Sequence, residues 1–134
     1  DYKSSTTSLF SAASWNEHNQ FQLALYAQVV EQGGTQLPKG KVVGAFYYDA
    51  KTLVREKGFR VLGETDLLPE EVKKIKVNKF YTDEEKNQLW KDINSNIHQI
   101  MHNMDQGNFA PQPNDMETCP KCPWQKNCRA PHLN

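Results

Sequence analysis

The stretch from Thr82 to Gly107 constrains this chain more than any other. Thr82 followed three residues later by Glu85 makes the reciprocal pair that caps a helix start. Beyond it Leu89, Ile93, Ile97, Ile100 and Met104 recur at spacings of three and four, and Trp90, Met101 and Phe80 widen the stripe. The spacing predicts a helix of roughly 24 residues, about 36 Å long, that ends by Gly107. A stripe of that length is a core face and needs a surface to cover it.

Lys41 to Asp49 offers that surface. Val42, Gly44, Phe46 and Tyr48 alternate with Val43, Ala45 and Tyr47, and both sets are apolar or aromatic, which predicts a well-buried strand. Thr52 to Glu56 and Phe59 to Leu62 read as two short strands parted near Gly58. An earlier helix is expected from a capping box at Ser14 and Glu17 to about Gln32, stopped by Gly33-Gly34. Its apolar residues, Phe21, Leu23, Ala24, Leu25, Ala27, Val29 and Val30, cover much of the circumference, so it should lie on a sheet. His18, Gln22 and Tyr26 then form a polar-aromatic stripe at i, i+4 and i+8, with His18 a bystander at the solvent end. Pro69-Glu70-Glu71 begins a possible short helix. Arg55 and Arg60 are read either as solvated edge residues or as phosphate contacts, and the lysines from Lys73 to Lys79 as a solvated face.

Composition fits one globular domain over 1–134, with a core portion at 1–107 and a cysteine-rich tail at 108–134. Hydrophobic residues make up 37% and charged residues 24%, too apolar for a disordered chain. No run approaches the ~20 apolar residues of a membrane helix. Lys and Arg (16) balance Asp and Glu (16), which excludes a strongly basic nucleic-acid binder but not a local groove. All three cysteines fall in the last 16 residues; an odd, clustered set argues for a reduced, cytoplasmic setting and a metal or cluster site.

Two groups of residues carry chemistry. Asp1-Tyr2-Lys3 reads as a strand end, with Asp1 and Lys3 on one side at the strand period of two. A carboxylate there is a hard ligand of the kind Mg²⁺ prefers, and Lys3 could orient a bound water or neutralise charge on a phosphoryl oxygen. In the tail, Cys119, Cys122 and Cys128 supply three thiolates. A fourth ligand is either an upstream cysteine, giving a [4Fe–4S] cluster, or His132, giving structural zinc. The spacing leaves both open.

In order and spacing, Asp1-Tyr2-Lys3-Ser4, Gln22-Leu23-Ala24-Leu25-Tyr26 and the C-x2-C-x5-C tail resemble the RecB-like nucleases of the PD-(D/E)XK superfamily. The iron–sulfur nuclease domains of AddB-type helicase–nuclease subunits, free-standing RecB-family exonucleases and Cas4-type nucleases share this arrangement. The resemblance implies an α/β, restriction-endonuclease-like fold: a central mixed sheet flanked by helices, with a metal- or cluster-stapled tail. It implies that Asp1 and the backbone carbonyl of Tyr2 bind Mg²⁺ or Mn²⁺, that Lys3 is the catalytic lysine, and that Gln22 and Tyr26 contact substrate. Cys119, Cys122 and Cys128 match the last three cluster cysteines, and Trp124 the aromatic between them. DNA is the implied partner, with a helicase subunit or domain beside it. The family's upstream acid and first cluster cysteine have no counterpart here, so the chain is expected to be the C-terminal half of a nuclease domain, with little cleavage by itself. The alternative is a non-catalytic, zinc-stapled module that binds nucleic acid or protein.

Overall fold

The strand expected over Lys41 to Asp49 forms over Gly44–Asp49 as one of the two inner strands of the sheet, and only Tyr47 and Asp49 in it are buried, the rest being half-buried. The computed structural model describes residues 2–3, 9–34, 36, 38–64, 68–75, 77, 79–109, 116–123 and 128. These fall into two compact units, Asp1–Ser95 and Asn96–Asn134. The first unit holds a four-stranded mixed sheet: β1 (Tyr2–Lys3), β2 (Gly44–Asp49), β3 (Val54–Val61) and β4 (Phe80–Tyr81), in that spatial order. β1 runs parallel to β2, β2 antiparallel to β3, and β3 parallel to β4. The helices are α1 (Gln22–Gln32), α2 (Glu70–Lys73) and α3 (Asp83–Asp105); a 3-10 turn at Ala12–Ser14 precedes α1.

The β2–β3 hairpin closes through Asp49. Its buried carboxylate accepts hydrogen bonds from the backbone N–H groups of Lys51 (2.8 Å) and Thr52 (3.0 Å), a local mimic of a backbone turn. The return strand is unbroken, contrary to the two short strands expected on either side of Gly58. Ala45 pairs with Phe59 and Tyr47 with Glu56, so Lys57 and Gly58 together oppose Phe46. This is a β-bulge, with Lys57 left-handed at φ 57°. A Cβ on Gly58 would lie 1.9 Å from the Ala45 carbonyl oxygen, so glycine here marks close backbone approach, not a strand end.

The bulge leaves Tyr47, Phe59, Val61 and Tyr81 all buried; ring contacts put Tyr47, Phe59 and Tyr81 on one face of the sheet, and Val61, two residues beyond Phe59, shares it by the strand period. Trp15, fully buried, meets Tyr47 and Phe59 edge-on, with ring centroids 6.4 and 6.1 Å apart. Trp90 of α3 meets Phe59 in the same way at 5.3 Å. Each such pair adds about 0.5–1.5 kcal/mol beyond the area it buries. Leu23, Ala24 and Ala27 bring α1 into this core, and Ile93 brings α3.

A polar network joins the two helices. Glu31 of α1 accepts from Lys86 Nζ, from Trp90 Nε1 (3.1 Å) and from the Val42 N–H (3.1 Å). Burial works to raise the Glu31 carboxyl, but the hydrogen bonds from Lys86, Trp90 and Val42 and the Lys86 charge outweigh it, so its pKa lies below the ordinary value. Asn94 Nδ2 donates to Gln28 Oε1 at 2.8 Å.

The opposite face carries Arg60, which the sequence reading left at an exposed edge or on a phosphate. It is 3% exposed. Its guanidinium donates to the carbonyls of Val72, Lys73 and Ile75 and sits between the rings of Phe46 and Phe80, 5.9 and 5.5 Å from their centroids. It caps the carbonyl end of α2, where unsatisfied C=O groups and the helix dipole favour a cation.

Two other expectations are corrected. α1 begins at Gln22, not near Ser14, because Asn19 turns left-handed at φ 54° and the Gln20 N–H returns to the Trp15 carbonyl. In α3 the Thr82–Glu85 capping box forms as expected, with Thr82 N to Glu85 Oε2 at 3.0 Å and Glu85 N to Thr82 Oγ1 at 3.2 Å. The apolar stripe that follows is buried only in part: Trp90 and Ile93 are covered, whereas Ile100, Met101 and Met104 are 38%, 55% and 55% exposed.

Candidate active site

The parallel β1–β2 ladder fixes the register of Tyr2 and Lys3. Tyr2 pairs with Tyr48 and Lys3 with Asp49. Asp1 lies outside the described residues, and of Lys3 only the backbone is described. Asp49, the register partner of Lys3, is a buried carboxylate two residues beyond Tyr47, on the same side of a pleated strand. Tyr47 links that side to the first turn of α1: burial pushes its hydroxyl pKa up, opposed by a hydrogen bond to the Leu23 backbone, while nearby Tyr26 adds to the rise. Leu23 stands beside Gln22.

Gln22 and Tyr26 lie one helical turn apart, and Gln22 Nε2 donates to Tyr26 Oη at 2.8 Å. Both are exposed, Tyr26 at 52%. Held by each other, the amide and phenol start with less rotamer freedom to lose on meeting a ligand. Leu25 and Val29 on the same helix are about two-fifths exposed, so the buried face of α1 is Leu23, Ala24, Ala27 and Gln28, narrower than the sequence pattern implied.

His18 is not part of the helical stripe assigned to it. It stands in the turn before α1, with its ring stacked on Phe10 at a centroid distance of 3.5 Å and an interplanar angle of 8°. Periodicity could not reveal this contact, because the two residues belong to no common element. Arg55 lies 5.5 Å over the Tyr48 ring and, with Phe46, Val72 and Ile75, lines a groove of about 270 Å³.

In the second unit, Met116–Lys121 forms a 3-10 helix, and the Cys122 N–H reaches the Cys119 carbonyl at 3.1 Å. That turn brings the first two cysteines of the tail close in the chain. Cys119 is buried, Cys122 and Cys128 are half-buried, and none forms a disulfide. Among the described residues no three of His, Cys, Asp and Glu gather as a metal site. Trp124 and His132 lie outside the described residues. Two thiols on a tight turn are donors suited to zinc or an iron–sulfur cluster, and the donor set does not choose between them.

Among the described residues no helix is long and apolar enough to cross a membrane. Comparison with curated proteins and with solved structures gives no match. A family model does match, that of the PD-(D/E)XK nuclease superfamily, over residues 1–129. With its mixed sheet flanked by helices, and with the match running over nearly its whole length, the chain belongs to the PD-(D/E)XK nuclease superfamily.

Proposed function

We propose that the chain forms part of a RecB-like, metal-dependent deoxyribonuclease that hydrolyses DNA phosphodiesters in repair or recombination, in the cytoplasm and beside a helicase subunit or domain. The observation that carries this reading is the exposed, hydrogen-bonded Gln22–Tyr26 pair, set one turn apart at the start of α1 in a chain of this superfamily. Asp1 and the Tyr2 carbonyl would hold Mg²⁺ or Mn²⁺, which when bound supplies an acidified water and offsets phosphoryl charge. Lys3 then orients the attacking water or neutralises the equatorial oxygens, and Gln22 and Tyr26 hydrogen-bond the DNA backbone. Cys119, Cys122 and Cys128 would bind a [4Fe–4S] cluster that holds the tail; zinc with His132 is the alternative ligand set. Brown colour near 400 nm, at roughly the position typical of iron–sulfur clusters, or an iron absorption edge separates the two.

The deciding experiment is cleavage of end-labelled linear DNA, with Mg²⁺ or Mn²⁺, by a protein carrying this chain. Lys3→Ala and Asp1→Ala should abolish cleavage, and Gln22→Ala should slow it by about 10²-fold. Undiminished cleavage in Lys3→Ala would overturn the assignment.

A further inference from the structure

Ahead of α1 the chain keeps an aromatic ring in solvent and holds it still. Phe10 is 40% exposed, yet one contact holds its ring and two hold its backbone. His18 stacks on one face of its ring at 3.5 Å. Its backbone N–H donates to Gln20 Oε1 at 2.9 Å. Its carbonyl accepts from Trp15 Nε1 at 3.1 Å, and Trp15 is the fully buried ring at the centre of the core. Asn19 adopts the left-handed conformation, reversing the chain between His18 and Gln20. The loop and the core thus anchor the backbone of residue 10, while its ring, stacked on His18, stays partly in solvent. Burial in the chain's own core does not explain this arrangement, because much of the ring remains outside it.

The anchor at Gln20 lies two residues before Gln22, so the stacked pair stands next to the start of the helix that carries Gln22 and Tyr26. We infer that the Phe10–His18 stack is a platform on which an unpaired DNA base stacks while Gln22 and Tyr26 hold the adjoining backbone. The inference rests on the nuclease reading and narrows its substrate to single-stranded DNA or a frayed end. Bases inside a duplex already have their faces covered; an unpaired base does not. Every base offers a π-face, so such a platform grips without reading sequence.

Both anchors of residue 10 use its backbone, so Phe10→Ala removes the ring and leaves the loop's hydrogen bonds in place. The probe is a single-stranded oligodeoxynucleotide carrying 2-aminopurine, whose fluorescence falls on stacking, titrated with the intact chain and compared with the same probe in a blunt duplex. Wild type should prefer the single strand and quench it. Phe10→Ala should weaken binding about ten-fold and abolish the quenching. Phe10→Trp should restore both, and Phe10→Leu, apolar but not flat, should not. A Phe10→Ala protein with unchanged thermal midpoint, affinity and quenching overturns the platform; if Gln22→Ala still weakens binding in that experiment, the nuclease reading survives. Equal binding of duplex and single strand, or no binding by wild type, also overturns the platform, and the cleavage assay then judges the wider reading by itself.

Discussion

The two halves of α3 carry one apolar spacing and meet different surroundings. In the first half, Trp90 and Ile93 are buried and Lys86 is 3% exposed, its charge met by Glu31 and its ammonium also reaching the Val42 carbonyl. In the second half, Ile100, Met101 and Met104 hold equivalent positions on the repeat but remain exposed. Propensity does not separate them, since Ile, Met and Trp are ordinary helix residues. Within its own unit the first half lies beside Phe59, Glu31 and the sheet face. An apolar stripe states a requirement for cover; it does not show that cover is supplied at every turn.

Substitutions can break or sharpen this contrast. Trp90→Ala should have the largest effect, about 3–5 kcal/mol by urea unfolding, because it empties a core site against Phe59 and removes the donor to Glu31 Oε2. A loss below roughly 1 kcal/mol would mean that the first half is no better packed than the second.

Glu31→Gln follows, with an expected loss of about 3 kcal/mol, since it strands the buried Lys86 charge. The same pair gives a pH signature. The Glu31 pKa is lowered in the folded chain, so its contribution is complete above the ordinary carboxylate value and disappears as pH falls through the folded value. Stability measured from neutral to acid pH should therefore fall less steeply in Glu31→Gln than in wild type.

Thr82→Ala removes one arm of the capping box and should cost about 1 kcal/mol. It affects the start of α3 without touching the stripe, and so calibrates what local structure alone contributes. Met101→Ala should be the mildest change, within about 0.5 kcal/mol. A loss near that of Trp90→Ala would show that the second half is covered in solution.

The same division runs through the candidate site. Gln22 and Tyr26 were legible because a four-residue spacing on a helix brings two side chains together whatever lies around them, and they meet at 2.8 Å. A strand was expected at the start of the chain, and β1 is a strand at Tyr2–Lys3; Asp1 and the Lys3 side chain lie outside the described residues. The pairing of Lys3 with Asp49 was not legible, because parallel strands pair across a long connection and the register is decided by the sheet. The Phe10–His18 stack was hidden for a similar reason: the turn at Asn19 creates it. Gly58 was seen as an interruption, but only the Ala45 carbonyl facing it shows the interruption to be a bulge.

Contacts within one or two turns of chain were set by the order of residues: the Thr82–Glu85 cap, the Gln22–Tyr26 pair, and the alternation of β2. The helix start expected at Ser14, an equally local signal, was instead displaced to Gln22 by the turn at Asn19. The fate of Arg60, the pairing of Asp49 with Lys3 and the burial along the α3 stripe were decided only when distant segments met. A charge or an apolar face carries the same local signal whether it finds a partner or water, and the partner comes from the packing of the whole unit.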